Sequence, residues 1–300
     1  MQIILEEQGL RDGLQNLPQP LPTERKLAIV HRLIEAGLRR IQVVSFVHPR
    51  LVPQMADAEA LCRQLPDRPD VVFSGLVLNL RGVERGIAAG LRHLACSMSA
   101  SDTHSRKNTR MSLPEARRAF AAMIDRAHAA GVTVRAGIQC ALGCRYEGRI
   151  DPEVVLDLVR HHLDAGAGEI ALADSTGMGH PAALGELVGR ALELANDRPV
   201  FLHLHDTEGK GSANVCAALA AGARHFDVAF GGLGGCPFIR SATGNIATED
   251  TAHLLHQLGH HTGIDIGGVA GISRELSAWL GHPLPGRMYG LWDQPEIQVI

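Results

Sequence analysis

The sequence predicts an α/β protein, a (β/α)8 TIM barrel with a short C-terminal extension. Three observations carry this expectation. Short β-rich apolar runs alternate with longer amphipathic stretches along the whole chain. Eight such runs can be counted, and no GxGxxG follows the first of them, which argues against a dinucleotide-binding open sheet. Strict alternation implies parallel strands joined by right-handed crossovers. Eight such units close naturally into a barrel; a doubly wound open sheet is the alternative.

The first run, residues 3–5, leads into an acidic turn (EEQGLRDG) and reads as a buried strand rather than a secretion signal. Further strands are expected at 41–44, 71–76, 93–96, 133–138, 169–173, 200–203 and 225–229. The segments between them mostly read as helices, and residues 112–130 show why. Ser112 can cap, Pro114 fits the first turn, Glu115 lies near the positive end and Gly131 ends the run. Ala116, Ala119, Phe120, Met123, Ile124 and Ala127 recur at spacings of three and four, so they share one face. Residues 152–165 and 181–195 repeat the pattern, and 249–261 completes the eighth unit. The tail after Gly263 is rich in Gly and Pro and ends apolar; it reads as an extension packed beside the barrel, placed to cover the site. No linker separates the two, so one domain is expected, with the barrel at about 1–262 and the extension at 263–300.

The bulk numbers suit this reading. The chain has 300 residues, 45% hydrophobic and 20% charged, with a formal net charge of -3. Its basic residues are scattered, which excludes general nucleic-acid affinity, and no apolar run is long enough to span a bilayer. Six dispersed cysteines do not make a secreted disulfide framework. Cys140 and Cys144 could be half of a zinc site, but no second pair stands ready to complete it. A reducing, cytoplasmic setting is the simplest expectation. Sixteen histidines direct the search toward metal or acid–base chemistry.

In such barrels the reactive groups sit at the C-terminal strand ends and in the loops that follow. Gly9-Leu10-Arg11-Asp12-Gly13 follows strand one, Asp174-Ser175-Thr176-Gly177 follows strand six, and His203-Leu204-His205-Asp206 ends strand seven. Strand eight is followed by a glycine loop carrying Cys236, then by Gly244-Asn245. His203 and His205 are separated by one residue, so both point to the same side of a strand. With Asp12 and the Asn245 carbonyl they offer a mixed N/O set for a divalent cation, Mg²⁺ or Mn²⁺, with Zn²⁺ as the competitor. The bland alternative is a pair of hydrogen-bonded strand histidines. Cys236, in a loop with four glycines, can donate a proton or act as a nucleophile; otherwise it is a packing thiol.

Residues 9–16 (GLRDGLQN), 45–57 (SFVHPRLVPQMAD), 203–209 (HLHDTEG), 232–238 (GLGGCPF) and 244–250 (GNIATED) carry a resemblance. Together they resemble the 3-hydroxy-3-methylglutaryl-CoA lyase family of metal-dependent, aldolase-like barrels. The resemblance implies a carbon–carbon lyase that cleaves an acyl-CoA, with Asp12, His203, His205 and Asn245 as cation ligands. It implies that Arg11 neutralises an enolate oxygen, that Asp12 or His203 is the base, and that Cys236 returns a proton to carbon. Gln42, Ser45, His104, Asn108, Arg135, Asp174, Thr176 and Glu249 are expected in substrate-binding or supporting roles. A homodimer is expected, as such barrels often pair.

Two positions depart from the family's pattern. Gln42 stands at strand two where a glutamate is expected, removing a charge beside Arg11. His104, in SDTHSRKN, looks closer to related condensing synthases, or else is an exposed loop residue. Both bear on the substrate: another 3-hydroxy acid or CoA thioester, such as citramalyl-CoA, is the first alternative. A condensing synthase, and a non-catalytic metal- or acyl-CoA-binding barrel, are the others.

Overall fold

Strands β1 (Ile4–Glu7), β2 (Arg40–Ser45), β3 (Val72–Val77), β4 (His93–Ser99), β5 (Thr133–Gln139), β6 (Glu169–Asp174), β7 (Val200–Leu204) and β8 (His225–Val228) close a parallel barrel in sequence order. The computed structural model describes residues 1–234 and 244–292. Closure is made by β8 returning to β1, with Ile4 opposite His225 and Glu7 opposite Val228, so the open-sheet alternative is excluded. Several strands run further than their apolar runs predict. β1 continues through Glu6-Glu7, β2 to Ser45 and β4 to Ser99. Ladder pairing is a backbone property, and the polar residues at these ends are buried rather than exposed.

Two different interiors result. Between strands and helices the packing is apolar, as with Phe226 and Val228 on the outer side of β8. Inside the barrel it is charged: Glu6, Arg40, Arg135, Glu169 and Asp227 pair across it. The helices cover the outer side. Leu113–Ala129 begins with a capping box between Ser112 and Glu115 and buries Ala116, Phe120, Met123, Ile124 and Ala127. Pro152–Asp164 is capped by Asp151, and Pro181–Ala195 follows β6. The eighth helix is Thr248–Gln257, shorter at its end than expected because Gly259 takes a positive φ of 76° and stops it.

The extension forms a helix, Ile266–Leu280, on the flank of the barrel. It packs on the helix Thr23–Glu35, where Arg32 pairs with Glu275 at 2.7 Å. Beyond it, Gly286 N–H donates to Gly231 C=O at 2.8 Å, tying the extension to the turn after β8. The described part of the extension therefore braces that turn from the side.

His162 shows how tightly the helical layer is closed. It is fully buried, and its ring stacks on Phe120 with centroids 4.2 Å apart. Burial pushes its pKa down to about 3, so the folded protein holds it neutral. The unfolded chain protonates it near its ordinary value of 6.5. The contribution is thus fully present above that pH and is lost as pH falls toward 3. Wild type should lose up to about 1.4 kcal/mol per pH unit below that point through this residue. Urea titrations at several pH values should show His162→Phe lacking that part of the slope; equal slopes would contradict the assignment.

Candidate active site

The site begins at the C-terminal end of β1, where the chain makes a π-helical turn over Gly9–Gly13. The Gln8 carbonyl accepts N–H groups from Arg11, Asp12 and Gly13 at 3.1, 2.7 and 3.2 Å. Turns of this kind re-aim side chains, and here Arg11 and Asp12 are both buried. Arg11 is held at three points. Its Nε donates to Gln42 Oε1 at 2.5 Å, one terminal nitrogen to Asp12 Oδ1 at 2.6 Å, and the other to Gln8 Oε1 at 3.0 Å.

His203 and His205 reach the same place from β7 and the residue following it, with ring centroids 4.9 Å apart. Their Nε2 atoms lie 3.9 and 3.6 Å from Asp12 Oδ2, beyond hydrogen-bond range. Their outer nitrogens are fixed differently. His203 Nδ1 meets Asp227 Oδ2 at 3.0 Å, and His205 Nδ1 meets the Ser175 carbonyl at 3.1 Å. A carbonyl can only accept, so His205 Nδ1 carries a proton. Burial lowers the pKa of this imidazole, but the Asp12 carboxylate outweighs it and raises it. Nε2 presents a lone pair when a cation takes the place of its second proton. Asn245 pairs with His205 in a short antiparallel bridge, and its Nδ2 donates to Asp12 Oδ2 at 2.6 Å.

A divalent metal fits this set. Ligand atoms of Asp12, His203 and His205 lie within 4.8 Å of one another, and they form the one such cluster among the described residues. His205 Nε2 and Asn245 Oδ1 are buried without a hydrogen-bond partner, as atoms facing a cation would be. Burial alone would favour protonated Asp12, but the Arg11 guanidinium and both imidazoles hold its carboxyl far below the usual range. It is therefore a permanent anion. His203 is pushed down by burial, partly offset by its bond to Asp227, and stays neutral.

The loop after β8 is built to come close. Gly234 has φ of 109°, and a Cβ there would stand 2.4 Å from Asn245 Nδ2 and 2.7 Å from Asp12 Oδ2. Only glycine fits that approach. Cys236, in the same loop, lies outside the described residues.

The other expected residues divide into those at the cluster and those behind it. Gln42 touches Arg11; Ser45, three residues on, is buried with no partner. Asp174 Oδ2 accepts Gly179 N–H at 2.9 Å, and Thr176 Oγ1 lies 3.4 Å from Asp174 Oδ1. Both brace the turn whose Ser175 carbonyl holds His205. Arg135 sits within the barrel, bidentate on Asp227 at 2.9 Å, and so reaches the site through His203. Glu249 is apart from the cluster: it accepts from Gly231 N–H and from the Ser273 hydroxyl. Asn108 donates to Gln139 Oε1 at 3.1 Å at the end of β5.

The exposed-loop reading of His104 is corrected. Ser101 caps a helix, Asp102–Thr109, immediately after β4, and this turns His104 inward, where neither ring nitrogen finds a partner. Cys144 bonds Ser101 Oγ at 3.0 Å, and among the described residues neither it nor Cys140 joins a metal cluster. Sequence reasoning missed Asp227 and Gln8, and placed Ser175 on the rim without its part in holding His205. Asp227 had a signal: His225 and Asp227 alternate with Phe226 and Val228 on β8, which puts a carboxylate on the inner side.

A family model described as HMGL-like matches residues 2–275. The chain belongs to this HMGL-like family. It is 42% identical to an (R)-citramalyl-CoA lyase of Chloroflexus aurantiacus, over 92% of this chain and 90% of the relative. It is also 42% identical to the hydroxymethylglutaryl-CoA lyase of Pseudomonas mevalonii, over 92% and 91%. An HMG-CoA lyase from Acenitobacter baumannii, solved with coenzyme A and 3-methylmalate, superposes with a TM-score of 0.94 at 35% identity, covering 99% of this chain and 97% of that one. Membership makes this HMGL-like chain a carbon–carbon lyase, and together with the Asp/His/His cluster it points to a divalent metal. Among the described residues no helix is long and apolar enough to cross a membrane.

If Asp227 orients His203, Asp227→Asn should weaken binding of Mn²⁺ by roughly 10- to 100-fold. Calorimetric titration of the metal-free protein measures this directly. An unchanged affinity would remove Asp227 from the site's design.

Proposed function

We propose that the protein cleaves a 3-hydroxyacyl-CoA whose acyl group carries a free carboxylate, hydroxymethylglutaryl-CoA first among them, into acetyl-CoA and acetoacetate. The observation that carries this reading is the buried Asp12–His203–His205 cluster with Arg11 locked beside it. Asp12, His203, His205 and Asn245 would hold the cation. Mg²⁺ or Mn²⁺ suits their mixed N/O donors better than Zn²⁺ does, and when bound it lowers the pKa of a substrate hydroxyl.

The residues divide the remaining work. Asp12 is the better base: with Nε2 on the cation and its Nδ1–H on Asp227, His203 would keep no free lone pair, whereas the ionised Asp12 carboxylate has lone pairs beyond the one it would give the cation. Asp12 takes the hydroxyl proton as the bond between the carbinol carbon and the carbon next to the thioester breaks. The hydroxyl carbon becomes a ketone, and the electron pair passes to a thioester enolate. Arg11 faces the charge that develops on the enolate oxygen and needs no rearrangement to do so. Cys236 gives its proton to the enolate carbon, completing acetyl-CoA, and is reprotonated from Asp12 through solvent.

Citramalyl-CoA is the second reading. It carries its carboxylate on the hydroxyl-bearing carbon, one methylene nearer than in hydroxymethylglutaryl-CoA. It is favoured by the equal identity of the two relatives and by Gln42, a neutral side chain against Arg11. A cytoplasmic homodimer belongs to the same proposal, and sedimentation of the purified protein checks the pairing.

A metal-supplemented cleavage assay with both thioesters tests the reading. Activity should vanish with chelator and return with Mg²⁺ or Mn²⁺. Arg11→Met should lower kcat about 10²- to 10³-fold with a smaller change in KM. Cys236→Ala should retain metal binding while losing turnover, and an unchanged rate would remove it as the proton donor.

A further inference from the structure

The inner wall of the barrel opens into a well beside the cation cluster. Arg135 points into the barrel, so Gly137 and Gln139, two and four residues further along β5, point there too. The same alternation turns Ser97 inward from β4, where His93 meets Glu169, and Leu76 inward from β3, where Ser74 meets Glu6. Ala173 faces inward from β6 and is the register partner of His203. These five residues are half-buried, whereas Val77, Met98, Ile138 and Leu172, which alternate with them, are buried. Ala95 and Arg135, two residues earlier on β4 and β5, are buried and form the floor. Arg135 is already paired with Asp227 and Glu6, so the floor offers a ligand no free charge. Gly137 leaves the wall bare at this depth, and a Cβ there would stand 3.1 Å from Ser97 Oγ.

An unsatisfied polar side chain stands at the lip of this well. In the helix Asp102–Thr109, Asn108 Nδ2 donates to Gln139 Oε1 at 3.1 Å, so this face of the helix looks onto the well. His104 lies one turn earlier on the same face, is 4% exposed, and has no partner at either ring nitrogen. Burial lowers its pKa, with Glu147 partly offsetting the effect, and leaves a neutral ring with one N–H and one lone pair. Buried polar atoms without partners are unfavourable and mark a place that a ligand completes. A neutral imidazole above an uncharged wall suits a group that hydrogen-bonds without carrying charge.

We propose that this well is a second acyl subsite, which takes a substituent on the carbinol carbon longer than methyl, with an uncharged hydrogen-bonding end received by His104. This rests on the lyase reading for the identity of the ligand. Ala173 beside His203 places the opening of the well next to the cation cluster that would hold the carbinol oxygen. Gly137 sets the depth, and His104 sets the preference for a polar end.

Calorimetry with the Mg²⁺-loaded protein tests this through three free acids that differ only at the carbinol carbon. They are 3-hydroxyglutarates bearing a 3-methyl, a 3-butyl or a 3-(3-hydroxypropyl) group. Wild type should bind the hydroxypropyl acid about 10- to 100-fold more tightly than the methyl acid. Gly137→Val should remove that gain while binding of the methyl acid, the control for an intact site, holds. His104→Phe should weaken the hydroxypropyl acid about 10-fold and leave the butyl acid unchanged. Equal or weaker binding of the hydroxypropyl acid by wild type, or a gain that survives both substitutions, would overturn the inference. If the binding pattern is as expected but no CoA thioester of these acids is cleaved, the lyase reading fails and the subsite stands. If thioesters are cleaved but the longer acids gain nothing, the subsite fails and the lyase reading stands.

Discussion

The Arg135 guanidinium is the charge around which the inside of the barrel is organised. It grips Asp227 with two hydrogen bonds of 2.9 Å and reaches Glu6 at 3.3 Å. Glu6 in turn pairs with Arg40, and Arg40 with Glu169, each at 2.8 Å. Phe201 lies between the two guanidinium groups, 4.6 Å from Arg135 and 4.7 Å from Arg40. A buried charge is tolerable only when paired, and losing one partner costs about 3–5 kcal/mol. The chain of pairs therefore holds β6, β2, β1, β5 and β8 in mutual register, and its last link, Asp227, aims His203 on β7. Closing the barrel and orienting a metal ligand are the same physical requirement.

A second pair of buried carboxylates does comparable work on the outer side. Glu7 accepts Gly9 N–H at 2.7 Å, Phe230 N–H at 3.0 Å and the Thr248 hydroxyl at 2.6 Å. Those three donors belong to the turn carrying Arg11 and Asp12 and to the two sides of the glycine loop. Glu249 holds Gly231 N–H and, through Ser273, the extension helix. Burial pushes the two carboxyls up to about 8 and about 7, against the donors that favour their ionised forms. The residues on the two sides of the loop are thereby anchored to β1 and to the extension.

Much of this was legible in the sequence, for identifiable reasons. Alternating apolar runs reveal strands, and Ser112, Glu115 and Pro114 reveal where a helix starts. His203 and His205 reveal a shared face through spacing alone. What remained hidden depends on contacts between distant residues. Nothing local in Glu6 or Arg135 says that they meet inside the barrel, 129 positions apart by their numbers. His104 read as exposed because its neighbours are polar, yet the cap at Ser101 turns it inward. Glu249 sits in a motif with Asn245, but the helix that begins at Thr248 carries it away from the cluster to brace the turn after β8. Gln42 stood out as an altered letter; its unpartnered nitrogen is visible only in the fold.

The central claim is that the charged interior presents two imidazoles, a carboxylate and an amide oxygen to one cation. Anomalous diffraction from crystals loaded with Mn²⁺ addresses it directly. The account predicts a single peak about 2.0–2.3 Å from Asp12, His203 Nε2, His205 Nε2 and Asn245 Oδ1. A protein that takes up no Mn²⁺ there, or binds it through other residues, would contradict the account at its foundation.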